Sequence, residues 1–283
     1  MLRRDFVPVA IDQWYTRSQQ DVEGRFYRQI IQNSPRNDPN KTTQGFYVAS
    51  PGGQLIGYNN NRTPDRVRKF MEDSLSRKVS MVSKPLMMKK VDEQFHPQLP
   101  PGAIVARVNS KILNGYKPSN RSFDEVFQNA VGRDNLWVTA EEQARLAENI
   151  FPKSLMRKIA RFNLVDNTRG EPPMWEGKEI KSLEISLTAE GEILGEAHLE
   201  TRDGKRGYMA SLRGIVESKS GRLVRFDLVS KGKFWGSGPY TKRAPKGKFD
   251  FVVAIRLADG TDVSDDVVPQ ALKAAGRQSY RNP

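Results

Sequence analysis

A dense polar segment in the middle of the chain is the first candidate for chemistry. It reads DNTRGEPPMW over residues 166–175. A ligand pocket could draw a carboxylate, an amide and a guanidinium from it, through Asp166, Asn167, Arg169 and Glu171. The same residues suit a structured loop between domains, in which Arg169 bridges acids and Trp175 seals the edge of a core. We favour this structural interpretation.

A second candidate mixes aromatic and basic side chains near residue 240. Aromatic rings beside cations suit the stacking of bases and contact with phosphates. A long basic β-hairpin loop would show the same composition. The glycines of this stretch match neither the P-loop spacing nor the dinucleotide-binding fingerprint. The candidate binding residues here are Trp235, Tyr240, Lys242, Arg243, Lys246 and Lys248.

The composition excludes several classes of enzyme. The chain has no cysteine, which excludes disulfides, thiolate nucleophiles and zinc-thiolate sites. Its two histidines, His96 and His198, are about a hundred residues apart, so a Ser-His-Asp triad or a histidine metal site is not expected. An acidic group near the end, Asp262, Asp265 and Asp266, is interpreted as a solvated turn. We therefore predict no catalytic residue, no metal and no cofactor.

The charge is strongly basic, with 46 Lys and Arg against 33 Asp and Glu and a formal net charge of +13. Such a balance favours polyanionic partners, although it also occurs in proteins without them. No apolar run is long enough to span a membrane. The two N-terminal arginines are not followed by an apolar stretch of signal-peptide length. The chain as written is therefore expected in the cytoplasm, or outside it if an upstream signal peptide is missing.

The first 79 residues predict an α/β pattern of strand, helix, two strands and helix. Residues 5–11 are expected to form a short buried strand. A helix is predicted to begin at Ser18, with an apolar face of Val22, Phe26 and Ile30. A hairpin follows over residues 45–58. Thr63 and Pro64 are then typical of a helix start, and the buried face of that helix is expected to contain Val67, Phe70, Met71 and Leu75.

This order, with the stretch GFYVASPGGQLIGYNNNRTPDRVRKFMEDSL, resembles the C-terminal half of a thioredoxin-like domain. The resemblance covers about residues 4–79 and implies a hairpin followed by a final amphipathic helix. The family's C-x-x-C pair and the helix that carries it have no counterpart here. Thr43-Gln44-Gly45 occupies the place of the family's cis-proline. The resemblance therefore implies a redox-inactive scaffold and transfers no functional residue.

The resemblance also implies a missing central strand between residues 5–11 and 45–50. Those two strands could pair directly, residues 103–108 could fill the gap, or the natural protein could start upstream of Met1. We favour the upstream start. The segments ARVNSKIL, RDNLWVTAEE and DNTRGEPPMW complete a layout that resembles uncharacterised bacterial proteins with a thioredoxin-like region.

The remainder of the chain is predicted to form a linker over 80–102, a mixed α/β connecting region over 103–176 and an antiparallel β domain over 177–283. In the connecting region a strand is predicted from Ala103, a capping box at Thr139, and a helix with Leu155, Ile159 and Phe162. In the β domain, tight turns separate five predicted strands, which favours an antiparallel sheet or barrel. These strands are 179–187, 192–201, 207–216, 222–234 and 249–257.

The predicted fold class is thus α/β plus all-β. The favoured function is a non-catalytic binding or structural protein with an unidentified protein or small-molecule ligand. One alternative is an enzyme with a carboxylate and Arg169 in a cleft between domains. The other is a nucleic-acid-binding protein that uses the basic loop.

Overall fold

The computed structural model describes residues 1–78, 90–274, 276–281 and 283. The chain divides into two compact units, Met1–Gln98 and Leu99–Pro283. No helix in this described part combines the length and the apolar character needed to cross a membrane. The methionines of the predicted linker at 81, 87 and 88 lie outside the described residues.

The N-terminal unit contains four helices and a two-stranded sheet among its described residues. In chain order its elements are α1 (Leu2–Asp5), α2 (Gln13–Thr16), α3 (Val22–Ile31), β1 (Phe46–Ala49), β2 (Leu55–Asn59) and α4 (Pro64–Leu75).

The predicted N-terminal strand is wrong. Residues 6–12 have no regular secondary structure, and Val7 and Val9 are 89% and 70% exposed. Pro8 has no N–H, and neither β1 nor β2 pairs with this segment. Residues 104–112 belong instead to the sheet of the C-terminal unit. Val7 and Val9 thus stay exposed, because none of the strands in the described part of the chain pairs with residues 6–12.

Helix α3 begins four residues later than predicted. The carboxylate of Asp21 accepts a hydrogen bond from the Gly24 N–H at 3.0 Å and caps the helix. The helix buries Tyr27 and Ile31, while the predicted face of Val22, Phe26 and Ile30 is only half-buried. Its true apolar stripe is therefore displaced by one residue from the predicted one.

The predicted hairpin and the helix after it are confirmed. β1 pairs antiparallel with β2, with Phe46 opposite Asn59 and Val48 opposite Gly57. Thr63 is the N-cap of α4 and Pro64 its first residue. On α4, Val67, Phe70 and Met71 are half-buried, but Leu75 is 46% exposed, contrary to the prediction. Residues 90–98 also belong to this unit: Asp92 accepts from the Gln20 N–H at 2.8 Å.

The C-terminal unit is built on one seven-stranded antiparallel sheet. Its strands are β3 (Ile104–Ile112), β4 (Gly132–Val138), β5 (Ile180–Leu187), β6 (Glu192–Glu200), β7 (Gly207–Lys219), β8 (Arg222–Trp235) and β9 (Lys248–Leu257). The strand order is β4-β3-β9-β8-β7-β6-β5, so the predicted connecting region and the predicted β domain share this sheet. The five strands predicted for the β domain are confirmed, whereas β4 was not predicted.

The helices of this unit are α5 (Ser122–Asn129), α6 (Ala140–Ala147), α7 (Lys153–Lys158), α8 (Gln270–Ala274) and α9 (Gly276–Arg281). A π-helical turn, Ile159–Asn163, continues α7. This turn contacts both β4 and β5, the two end strands of the sheet. The sheet is therefore open rather than a closed barrel, because helical structure lies where the end strands would have to pair.

The sheet has one packed and one wet face, as the alternation in β8 predicted. Leu212, Phe226 and Phe251 are fully buried on the packed face, whereas Val229 is 44% exposed on the other. The predicted capping box at Thr139 is also confirmed, with both reciprocal hydrogen bonds to Glu142 present. The predicted residues Leu155, Ile159 and Phe162 are fully buried.

Candidate binding surface

The two segments singled out in the sequence meet at one end of the C-terminal sheet. The first is the polar segment 166–175, and the second is the β8–β9 loop, residues 236–247. The Arg169 guanidinium donates to the carbonyl oxygens of Thr241 and of Lys242, the latter at 3.1 Å. Arg169 thus joins the two segments through main-chain atoms of the loop.

Asp166 and Arg169 form a buried ion pair. Their side chains are 2% and 0% exposed. The other carboxylate oxygen of Asp166 accepts from the N–H and the hydroxyl of Thr168, at 3.1 and 2.7 Å. Both charged groups bond to protein partners, although the Arg169 Nε–H has no hydrogen-bond partner among the described residues, and their role in this geometry is to hold the loop.

Trp175 is fully buried and belongs to the core of this unit. Its indole N–H donates to the Leu164 carbonyl at 2.8 Å. The guanidinium of Arg206 lies 3.9 Å from the centre of the indole ring and also donates to the Pro173 carbonyl at 2.5 Å. Burial lowers the pKa of Arg206 from its usual value. Trp175 therefore closes the edge of the core. Its ring is covered by Arg206, which the sequence analysis did not identify.

The remaining predicted residues of the polar segment also contact neighbouring elements. Ser110 on β3 donates to the side-chain oxygen of Asn167 at 2.5 Å. Glu171 pairs with Lys273 of α8 at 3.1 Å. A Cβ on Gly132 would lie 1.8 Å from the same Asn167 oxygen, so β4 needs glycine there. The segment is thus tied to β3, β4 and α8.

Trp235 and Lys248 frame the two ends of the β8–β9 loop. The Trp235 indole N–H donates to the Gly204 carbonyl at 2.9 Å. The Lys248 ammonium lies 4.4 Å from the centre of the Trp235 ring. Trp235 is only partly accessible, and its ring contacts Gly204 and Lys248 of the same chain.

The centre of the loop is more exposed than Trp235 at its start, since Tyr240 is 75% exposed. Lys242 and Lys246 are exposed as well. Neither lysine forms an ion pair within the described ranges of the chain. Arg243 lies 3.7 Å from Asp124 and 5.7 Å from the centre of the Phe127 ring, which places it against α5.

The backbone under Tyr240 is fixed by short-range contacts. The Thr241 hydroxyl accepts from the Gly238 N–H at 2.7 Å, and Thr241 is buried. The Tyr240 carbonyl lies so close to Gly170 that a Cβ there would be 2.4 Å from it. Gly236 has φ +82° and would place a Cβ 2.2 Å from the Lys205 carbonyl. The loop is therefore a packed structure that presents Tyr240 outward.

A shallow pocket opens next to this loop. Its lining includes Leu113, Tyr116, Lys117 and Gln128. Gly115, in the same segment, is so close to Pro245 of the loop that a Cβ on it would be 2.8 Å from the Pro245 Cβ. Burial raises the pKa of Tyr116 to about 12. The 113–128 segment thus borders the loop and carries two more exposed cations, Lys117 and Arg121.

The acidic residues near the C-terminus are not all in a solvated turn. Asp262 and Asp266 are exposed, but Asp265 is buried and pairs with Arg107 at 2.7 Å and Arg133 at 3.1 Å. The hydrogen bond from Arg107 lowers the pKa of Asp265. The prediction for Asp265 is therefore wrong, because strands β3 and β4 place two arginines against it.

The histidines and acids give no metal centre in the described part of the structure, where no group of three or more candidate ligands occurs. His96 lies 3.4 Å from Glu23, and His198 lies 3.0 Å from Glu200. Each histidine thus lies beside a carboxylate.

Comparisons with known proteins give no family for this chain. No family model, no curated protein and no solved structure matches it.

Proposed function

We propose that this chain is a non-catalytic binding protein that uses the β8–β9 loop as its binding surface. Its first 79 residues serve as a redox-inactive, thioredoxin-like scaffold, and its sheet domain holds the ligand or partner. The observation that carries the proposal is the contrast between Arg169, which is buried and bonded within the protein, and Tyr240, Lys242 and Lys246, which face solvent.

The hairpin of β1 and β2 followed by α4 supports a thioredoxin-like scaffold. The absence of cysteine supports its lack of thiol chemistry. Pure protein is therefore expected neither to reduce insulin disulfides with dithiothreitol nor to react with thiol reagents. Turnover above the reagent blank contradicts this part of the proposal.

The enzyme alternative has less support. Asp166 and Arg169 form a buried ion pair with each other, and Glu171 is paired with Lys273. A catalytic group has to reach the reacting atoms, and the buried Asp166–Arg169 pair cannot do so without breaking its contacts. The geometry therefore favours a positioning role for these residues over a catalytic one.

The test is a binding panel with the full chain. Heparin, polyphosphate, poly-glutamate and oligo-dT are the anionic probes, and dextran is the neutral control. We expect at least one anionic probe to bind at low salt, and the variant Tyr240→Ala/Lys242→Ala/Lys246→Ala to lose at least tenfold in affinity.

The matched control is Lys219→Ala/Arg222→Ala. These two exposed cations lie at the end of β7 and β8 opposite to the β8–β9 loop. The two ends of β7, a strand of 13 residues, are about 40 Å apart. Equal losses in the two variants, or no binding by any probe, contradict the proposed function.

A further inference from the structure

We infer that the β8–β9 loop binds single-stranded nucleic acid, with Tyr240 stacked on a base and Lys242 and Lys246 on the neighbouring phosphates. The inference rests on the proposed function and names the ligand class for the same loop. Stacking on an aromatic ring and phosphate contact by flanking cations are the two parts of single-strand recognition.

Tyr240 supplies the stacking surface. Its side chain is 75% exposed, while the next residue, Thr241, is buried and its carbonyl accepts from Arg169. A ring on a fixed backbone loses little conformational entropy when a ligand covers it. The exposed ring therefore has the fixed backbone and the accessibility that a stacking platform needs.

The charge around the ring supplies the phosphate contacts. Lys242 and Lys246 are exposed and form no ion pair with any residue that the structure describes. The adjacent 113–128 segment adds Lys117 and Arg121. Both lie in the segment whose Gly115 packs against Pro245 of the loop, and they are further cations on the elements beside the ring.

The same features favour a single strand over other polyanions. Duplex readout in the major groove usually places a helix or a two-stranded ribbon against the bases, and the β8–β9 loop contains neither. An acidic peptide can bind the lysines but need not present a flat ring to Tyr240. An exposed base does present one, so the ring distinguishes nucleic acid from poly-glutamate.

The experiment is fluorescence anisotropy with labelled dT12, a 12-mer abasic strand of the same backbone, and labelled poly-glutamate. The full chain is compared with Tyr240→Ala, Tyr240→Phe, Lys242→Ala/Lys246→Ala and the control Lys219→Ala/Arg222→Ala. Circular dichroism and thermal melting verify that each variant is folded.

We expect dT12 to bind more tightly than the abasic strand. Tyr240→Ala should weaken dT12 binding about tenfold, as expected for the loss of one stacked base, and Tyr240→Phe should preserve it. Neither change should affect the abasic strand. Lys242→Ala/Lys246→Ala should weaken both strands and reduce the slope of log K against log salt by about 1.4, or about 0.7 for each lost phosphate contact.

Two outcomes overturn the inference. One is unchanged dT12 affinity in folded Tyr240→Ala, and the other is equal binding of dT12, abasic strand and poly-glutamate. In both cases, loss of anion binding in the lysine variant but not in the control still supports the proposed function. If the lysine variant and the control behave alike, the proposed function fails as well.

Discussion

The buried guanidinium of Arg169 is hydrogen-bonded to the backbone carbonyl of Thr241, 72 residues further along the chain. This contact fixes the residue that follows the exposed Tyr240. Gly170 reinforces it, since the Tyr240 carbonyl occupies the space where a Cβ would be. The polar segment thus acts on the candidate surface through the loop backbone.

The first prediction concerns this contact. Arg169→Met leaves the Asp166 carboxylate buried without its counter-ion, and we expect a loss of about 3–5 kcal/mol in the free energy of unfolding. Asp166→Asn/Arg169→Met should recover part of that loss, because no unpaired charge is then buried. Urea unfolding measures both variants, with Arg225→Ala, an exposed ion-pair member, as the control. A loss in Arg169→Met no larger than in the control contradicts the prediction.

The second prediction concerns the glycines at the two ends of the β8–β9 loop. Gly236 and Gly247 have φ of +82° and +71°, but only Gly236 would place a Cβ against backbone, 2.2 Å from the Lys205 carbonyl. Gly247→Ala should therefore cost about 1 kcal/mol for the left-handed conformation, and Gly236→Ala clearly more because the backbone must also move. Thermal unfolding of the two variants side by side provides the measurement. Equal melting temperatures show that the contact at Gly236 is not restrictive.

The third prediction concerns a buried lysine. Lys158 donates to the Glu142 carboxylate at 2.6 Å and to the Trp137 carbonyl at 2.9 Å. The Lys158 and Glu142 side chains are at most 5% exposed. Desolvation lowers the pKa of Lys158. Lys158→Met alone should destabilise the fold by about 3–5 kcal/mol, because Glu142 keeps a buried charge.

Lys158→Met/Glu142→Gln removes both charges and should be closer to the wild type than Lys158→Met alone. Together with the wild type, Lys158→Met and the single variant Glu142→Gln, it completes a double-mutant cycle of four free energies of unfolding. Additive losses in this cycle exclude coupling between the two residues.

The fourth prediction is a dependence of stability on pH. Burial raises the pKa of Asp134 to about 6, above the ordinary value of 3.8. Between these values the unfolded chain releases this proton while the folded chain keeps it, so ionisation favours unfolding. The contribution of Asp134 to stability should therefore be lost progressively as the pH rises from about 4 to 6, by about 2–3 kcal/mol in total.

Asp134→Asn tests this sign. One side-chain oxygen of Asp134 accepts both the Asn135 and the Gln270 N–H, so the amide oxygen of asparagine can accept both. We expect the variant to be more stable than the wild type at pH 7 and to lose the advantage near pH 4, in urea unfolding at both values. Asp65→Asn, on the exposed surface of α4, serves as the control. An advantage that is independent of pH rules out titration of Asp134 as the cause.

The sequence by itself determined the elements whose signals are local. The alternation in β8, the tight turns of the β domain and the capping box at Thr139 each depend on residues a few positions apart, and the structure confirms them. The exclusion of thiol chemistry needs only the composition. Such signals can be read from the sequence because hydrophobic periodicity and helix capping depend on residues only a few positions apart.

Tertiary structure decided what those elements contact. Residues 5–11 have the composition of a strand, but a strand needs a neighbouring strand that hydrogen-bonds to its backbone. Val7 and Val9 stay exposed because none of the described strands pairs with this segment. Asp265 became buried because β3 and β4 bring Arg107 and Arg133 to it. Arg169 reached Thr241 for the same reason. A side chain's role depends on partners that are distant in sequence, and only the folded sheet brings them within hydrogen-bonding distance.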